Sequence, residues 1–304
     1  MKKINRRDAI RLMGGTGLTL AAMPAMGVPA EEMLTRQIPS TGEKIPVVGL
    51  GTWRQFDVGN AKEERKPLSD VLKRMDGKGG KMIDSSPMYA RSEEVIGDLS
   101  KEANNADKFF FATKVWTRGK QDGIKQMNAS FQKMRRTTMD LMQVHNLVDW
   151  QTHLQTLKQW KDEGKVRYVG VTHYTDSAHA DLEKVITANK VDFVQFNYSI
   201  RNRHAEQRLL SAAKDNGIAV IINQPFESGS LFDAVAGKPL PAWAAEFGIR
   251  YWAQFFIKFL ISHPAVTCVI PGTSDPVHVV QNMDAAFGKL PDAATRNKMA
   301  DYFS

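Results

Sequence analysis

The sequence holds a single cysteine in 304 residues, so no disulfide can form within one chain and a disulfide scaffold is excluded. No HExxH or related spacing links the histidines at 145, 153, 173, 179, 204, 263 and 278, and no metal site is expected. Also missing is an unbroken apolar run of about 20 residues, the length that crosses a bilayer. The best candidate, residues 12–28, is broken by Gly and Pro, and no stable membrane span is expected. The dinucleotide fingerprint GxGxxG is incomplete: Gly49-Leu50-Gly51 runs into Thr52-Trp53-Arg54, which disfavours a doubly wound open sheet. No low-complexity linker or charge block marks a second domain, and Cys268 sits in the apolar run 265–270, where a packing role is expected.

What is present is ordinary globular composition, with 42% hydrophobic residues and 41 Lys+Arg against 33 Asp+Glu, a formal charge of +8. Such an excess points to nucleic acid or anionic lipid only where the cations share a surface. Five of them do not. Lys2, Lys3, Arg6, Arg7 and Arg11 form a basic head before the apolar stretch, and Arg6-Arg7-Asp8-Ala9-Ile10-Arg11 resembles a bacterial twin-arginine export signal. Val28-Pro29-Ala30 offers small residues at cleavage spacing. Residues 1–30 are therefore expected to be a removable address, read by the twin-arginine export machinery and leading to the periplasm. The remaining 31–304 carry 36 cations against 32 acids, a charge of +4, and no nucleic-acid partner is expected.

From there to the end, short β-type runs alternate with helix-sized segments. The runs fall at residues 46–52, 81–84, 109–114, 139–145, 166–171, 191–195, 218–222 and 266–270. Between two of them, Trp150, Leu154, Leu157 and Lys161 follow helical spacing and Gly164 supplies a stop. Spacers of that length make the strands parallel, and eight β-then-α units predict a single-domain (β/α)8 barrel. Residues 34–44, with Ser40-Thr41-Gly42 at their centre, read as a hairpin at the barrel bottom.

Barrels of this kind build their sites at the C-terminal ends of the strands. There the second run ends on Asp84 and leads to Tyr89, the third ends on Lys114 and the fourth on His145. Each residue alone has a bland explanation, but an ammonium at the end of an apolar inward strand needs an anion beside it. Asp84 is the natural partner. A neighbouring ammonium favours phenolate and lowers the pKa of Tyr89 towards working pH. The phenol could then protonate a carbonyl oxygen while His145 orients and polarises it. The set reads as carbonyl reduction.

The elements Gly49-Leu-Gly-Thr-Trp53, Ile83-Asp-Ser-Ser-Pro-Met-Tyr89, Ala112-Thr-Lys-Val-Trp116 and Asp140-Leu-Met-Gln-Val-His145 resemble the aldo-keto reductases in order and spacing. The likeness continues through Gly170-Val-Thr-His-Tyr174, Phe193-Val-Gln-Phe-Asn197 and Ile270-Pro-Gly-Thr-Ser274. It implies catalytic roles for Asp84, Tyr89, Lys114 and His145, with Tyr89 as proton donor, and hydride transfer from NADPH to an aldehyde or ketone. It also places Thr52, Trp53, Thr172, His173 and Gln195 about the nicotinamide. Asn223 stands where an aromatic usually stacks on that ring, leaving Phe226 as an alternative, while Ser228, Gly229 and Leu231 would approach the pyrophosphate.

At the adenosine end, Gly272 and His278 occupy positions that are basic in many members, Asp275 adds a negative charge, and Thr273, Ser274, Gln281 and Asn282 remain as polar contacts. NADPH is the expected cofactor, with NADH possible. Trp53, Phe56 and Trp116 are expected to form an aromatic substrate rim, and the short stretch after the last helix suggests an open site for small or planar carbonyl compounds. The competing expectation is a nucleotide-binding sensor or interaction protein on the same barrel, since a fold does not fix a function.

Overall fold

The computed structural model describes residues 32–303; the proposed export signal lies outside them. Two short strands, β1 (Thr35–Gln37) and β2 (Lys44–Pro46), pair antiparallel through Thr35↔Pro46 and Gln37↔Lys44. Gly42 takes the left-handed φ of +77° that closes their turn. Arg36 ties this hairpin to the rest by donating to the carbonyls of Ile261 at 2.5 Å and His263 at 2.7 Å.

Eight parallel strands follow in unbroken spatial order. They are β3 (Leu50–Gly51), β4 (Met82–Asp84), β5 (Phe110–Val115), β6 (Met139–His145), β7 (Val166–Thr172), β8 (Phe193–Asn197), β9 (Ala219–Asn223) and β10 (Cys268–Val269). Parallel bridges Val48↔Val269 and Gly51↔Gly272 bring the first and last strands together. The ring is a (β/α)8 barrel. β3 and β10 are shorter than the sequence pattern suggests, and at their seam they meet through these two isolated bridges rather than a continuous ladder. A Cβ on Gly49 would stand 2.8 Å from the Met82 carbonyl oxygen, and one on Gly51 would stand 2.8 Å from that of Ile270. Only glycine allows the backbones this approach.

Ten α-helices belong to the described residues: α1 (Lys62–Gly77), α2 (Ser92–Glu102), α3 (Lys120–Lys133), α4 (Trp150–Asp162), α5 (His179–Ala188), α6 (Leu209–Asp215), α7 (Ser230–Ala234), α8 (Trp252–Ile261), α9 (Pro276–Asp284) and α10 (Ala293–Phe303). α4 shows how they are built: Leu154, Leu157 and Trp160 are buried on one face, and Gly164 ends the turn at φ +72°. None of the described helices is long and apolar enough to cross a membrane.

The apolar interior divides in two. Outward-facing strand residues and helix faces form the larger core, while Met82, Phe110, Leu141, Tyr168, Phe193, Ile221 and Cys268 fill the barrel itself. Ile38 and Ile45 of the hairpin join the inner group. They plug the N-terminal mouth with apolar side chains. The other mouth is left for polar ones, and the register aligns them: Lys114 pairs with Gln143, and His145 with Thr172 and then Gln195.

Candidate active site

Asp84 ends β4 and Lys114 lies near the end of β5, both fully enclosed. Lys114 Nζ donates to Asp84 Oδ1 at 2.5 Å and to the Ser85 carbonyl at 2.6 Å. The second carboxylate oxygen, Oδ2, accepts from Gln195 at 3.0 Å and Gln143 at 3.2 Å. Burial by itself lowers the lysine pKa, yet Asp84 reverses that and holds it above its ordinary value. The ammonium stays charged because every atom of its counterion is satisfied.

Tyr89 follows the tight turn after β4, its N–H on the Ser86 carbonyl at 3.0 Å. Lys114 Nζ lies 5.0 Å from the centre of its ring, within reach of a cation–π interaction. Burial raises the phenol pKa; the Lys114 charge pulls it down and Asp84 adds to the rise. The net direction is upward, which corrects the expected fall. Burial outweighs the ammonium here, so the phenol stays protonated at neutral pH and the ammonium is placed to stabilise the phenolate left after proton donation.

His145 stands edge-on to Tyr89, ring centres 6.0 Å apart. Burial and then Lys114 lower its pKa to about 2. The imidazole is neutral. Its Nδ1 faces the Ser86 hydroxyl at 3.1 Å, and that hydroxyl oxygen already accepts the Met88 N–H at 3.4 Å. In the tautomer whose Nδ1 accepts from Ser86, the ring proton resides on Nε2 as a hydrogen-bond donor.

These groups open onto a cavity of about 790 Å³ lined by Thr52, Trp53, Asp84, Tyr89, Trp116, His145, Thr172, Gln195, Phe226, Ser228, Gly229 and Gly272, among others. Trp53 and Trp116 are 44% and 42% exposed, a rim of accessible aromatic surface. Tyr174, 48% exposed, joins the same wall. Phe56 does not. Gln55 and Phe56 N–H groups both donate to the Thr52 carbonyl, and the turn buries the Phe56 ring completely in the outer core. It cannot form part of the substrate rim.

His173 is likewise outside the cavity lining. Its Nδ1 accepts the Tyr174 N–H at 3.0 Å, and its ring stacks on Tyr174. The Leu231 side chain is buried in the core, so it presents no surface to a pyrophosphate. Phe226 faces the cavity but its ring packs edge-on against Phe232 at 4.9 Å.

At the far end, Thr273 and Asn282 are buried, and neither they nor Ser274, His278 and Gln281 line the cavity. They cluster around the start of α9, where the Asp275 carboxylate accepts from the Val277 and His278 N–H groups at 2.6 and 3.4 Å. A helix start that would favour an external anion is capped from within.

Gln143, Ser86 and Asn146 escaped the sequence reading, and Asn223 entered it only as the residue that replaces a stacking aromatic. Gln143 sits two residues before His145 on β6, and strand alternation puts both on one face. Ser86 holds His145 by a hydrogen bond to Nδ1 at 3.1 Å. Asn146 and Asn223 both line the cavity, and each has a buried Oδ1 with no hydrogen-bond partner. The fold also gathers Asp176, His179 and His204 within 4.8 Å. Histidine spacing could not show that grouping, but its atoms are engaged: His179 bonds His204 at 2.9 Å and Asn197 at 3.0 Å, and Asp176 accepts amides of Asn197 and Asn202.

Comparison with known proteins agrees with this geometry. The chain is 26% identical over 203 residues to the aldo-keto reductase YhdN of Bacillus subtilis, covering 61% of this chain and 60% of that one. It is 26% identical over 247 residues to the NADH-specific methylglyoxal reductase of Escherichia coli, covering 70% and 73%. A solved aldo-keto reductase from Klebsiella pneumoniae, in complex with NADPH, superposes with a TM-score of 0.72 at 22% identity, covering 89% and 96%. Residues 47–296 match the model of the Aldo/keto reductase family, and the chain belongs to that family.

Proposed function

We propose that the protein is an NAD(P)H-dependent reductase that converts an aldehyde or ketone to its alcohol, with Tyr89 as proton donor. The observation that carries this is the buried Asp84–Lys114 pair beneath a protonated phenol and beside a neutral imidazole. A binding protein has no use for such an arrangement, which disfavours the sensor reading.

The cavity fits a nicotinamide nucleotide on several counts. It has two unpartnered amide oxygens, a Gly229 at φ +102°, and a loop after β9 with Gln224, Glu227 and Ser228 all at positive φ. Arg201 fastens that loop by donating to Glu227 at 2.9 Å and to Ser230 at 2.6 Å. The wall formed by Thr172, Gln195 and Asn223 would face the nicotinamide end, with Ser228 and Gly229 along the pyrophosphate. Bound there, NADPH, or NADH in its place, supplies the hydride taken by the carbonyl carbon.

His145 Nε2 donates to the carbonyl oxygen and fixes its direction. Tyr89 then delivers its proton to that oxygen, and Lys114 stabilises the resulting phenolate by charge. Gln143, Gln195 and Asp84 keep Lys114 in place throughout. The rim of Trp53, Trp116 and Tyr174 suits small or planar carbonyl compounds. The similarity to a methylglyoxal reductase supports the same substrate class.

The twin-arginine pattern of residues 1–30 further supports export of the folded, cofactor-loaded protein to the periplasm. Fusing those residues to a folded reporter should deliver it to the periplasm, and the Arg6→Lys/Arg7→Lys pair should abolish delivery. Retention of the wild-type fusion in the cytoplasm would refute export.

The central test is NADPH and NADH oxidation with a generic aldehyde. Wild type should turn over repeatedly, and Tyr89→Phe should lose about 10²–10⁴ of the rate, the usual weight of a positioned acid. Equal rates for the two proteins would end the reductase assignment.

A further inference from the structure

The end of β9 carries an amide whose orientation is decided by its neighbours. Asn223 Nδ2 donates to the His173 carbonyl at 3.1 Å and to Gln195 Oε1 at 3.3 Å. Both amide hydrogens are thereby used, and the alternative flip would set an oxygen against two acceptors. Oδ1 is left buried, without a partner, on a residue that lines the main cavity.

Gln195 is in the opposite condition. Its Oε1 accepts from Thr172 at 3.3 Å and from Asn223. Its Nε2 donates to Asp84 at 3.0 Å and approaches Gln143 Oε1 at 3.5 Å. The residue that sequence reasoning assigns to the nicotinamide carboxamide thus has both lone pairs and both hydrogens committed to the protein. His173, the other amide-like neighbour, is turned out of the cavity lining. Around this point of the wall the free acceptor is Asn223 Oδ1, one hydrogen bond from Gln195 and two from Asp84.

We propose that Asn223 Oδ1 accepts the carboxamide N–H of the nicotinamide, so that a hydrogen bond to the amino group replaces ring stacking at this position. Asn223 is then a cofactor-binding residue, and Gln195 a positioning residue for Asp84. An uncharged primary amide suits the site because the acceptor is neutral and needs one N–H. This assignment rests on the reading of the cavity as a nicotinamide site.

Binding, not turnover, tests it. Equilibrium affinity of the full chain is measured for NADP+ and NAD+ and for their 3-acetylpyridine analogues, in which a methyl replaces the carboxamide amino group. Wild type should prefer the natural nucleotide by about tenfold, the usual worth of one buried hydrogen bond. In Asn223→Leu that preference should vanish, through weaker binding of the natural nucleotide. Affinity for ADP-ribose and its 2′-phosphate, which lack the nicotinamide, should be the same in both proteins and reports an intact cavity.

Persistence of the full preference in Asn223→Leu, with ADP-ribose binding unchanged, overturns the assignment while leaving the cofactor reading standing. A fall in ADP-ribose binding equal to that for NADP+ overturns it too, since the side chain then shapes the cavity as a whole. Failure of wild type to bind any of these nucleotides removes the cofactor reading itself.

Discussion

The reacting end of the cavity and the start of α9 beyond it handle charge in opposite ways. At the reacting end a buried ammonium is surrounded by groups that need it, with Asp84, the Ser85 carbonyl and two glutamine amides arranged around Lys114 and its counterion. At the α9 end the formal anion belongs to the protein, because Asp275 caps the helix from within and leaves no acidic ligand a vacant N–H at Val277. One end is organised for a developing negative charge. The other is organised against a fixed one.

Lys114→Met is the strongest way to break this contrast. It leaves Asp84 buried without its counterion, and stability should fall by about 3–5 kcal/mol, the usual penalty for breaking a buried pair. Reduction should fall with it. Adding Asp84→Asn should restore most of the melting temperature but not the turnover, because the network becomes neutral while the phenolate loses its cation. The pH profile separates the two effects. Reduction requires a protonated phenol and declines as pH rises through the Tyr89 pKa, which burial holds above the ordinary value. Without Lys114 the alkaline limb should move further up. An unmoved limb would show that Lys114 does not act on Tyr89.

Asp275→Ser tests the other end with a smaller effect. Serine keeps a cap for Val277 while removing the carboxylate. The ratio of NADPH to NADH affinity should rise by about tenfold, on the scale of one charged contact near a helix start. An unchanged ratio in fluorescence titrations would mean that Asp275 does not oppose the 2′-phosphate.

Much of the reacting end was legible in the sequence, and the reasons are local. Asp84, Lys114 and His145 end strands, so alternation and the barrel rule suffice to gather them. The hairpin showed through its turn residues. Phe56 was misread because it is three residues from Trp53, and only the two bonds onto the Thr52 carbonyl reveal that the chain turns it inward. The commitments of Gln195 and Asn223 were out of reach for a different reason. Whether an amide is free depends on its partners from β4, β6 and the end of β7, which lie up to 111 residues away in the chain. The direction of the Tyr89 shift failed likewise, since charge proximity can be read from neighbouring strands but burial cannot.

The smallest expected effect lies behind the reacting end, where one buried charge lacks what Lys114 has. Glu93 of α2 is fully enclosed; Thr113 donates to Oε1 at 2.6 Å, Oε2 has no hydrogen-bond partner, and Lys133 stands off at 4.0 Å. Burial raises its pKa above the ordinary glutamate value. A carboxyl whose folded pKa is raised holds its proton more tightly in the native state, so its contribution to stability falls as pH climbs from the unfolded value through the folded one. Glu93→Gln keeps the Thr113 bond and removes the charge. It should stabilise the protein by about 1 kcal/mol near pH 8, the order expected for relieving an unsatisfied buried group, and by less near pH 5. Urea unfolding at the two pH values checks this. A variant no more stable than wild type at pH 8, or one whose advantage grows as pH falls, would show that Glu93 is compensated in the native state as fully as Lys114 is.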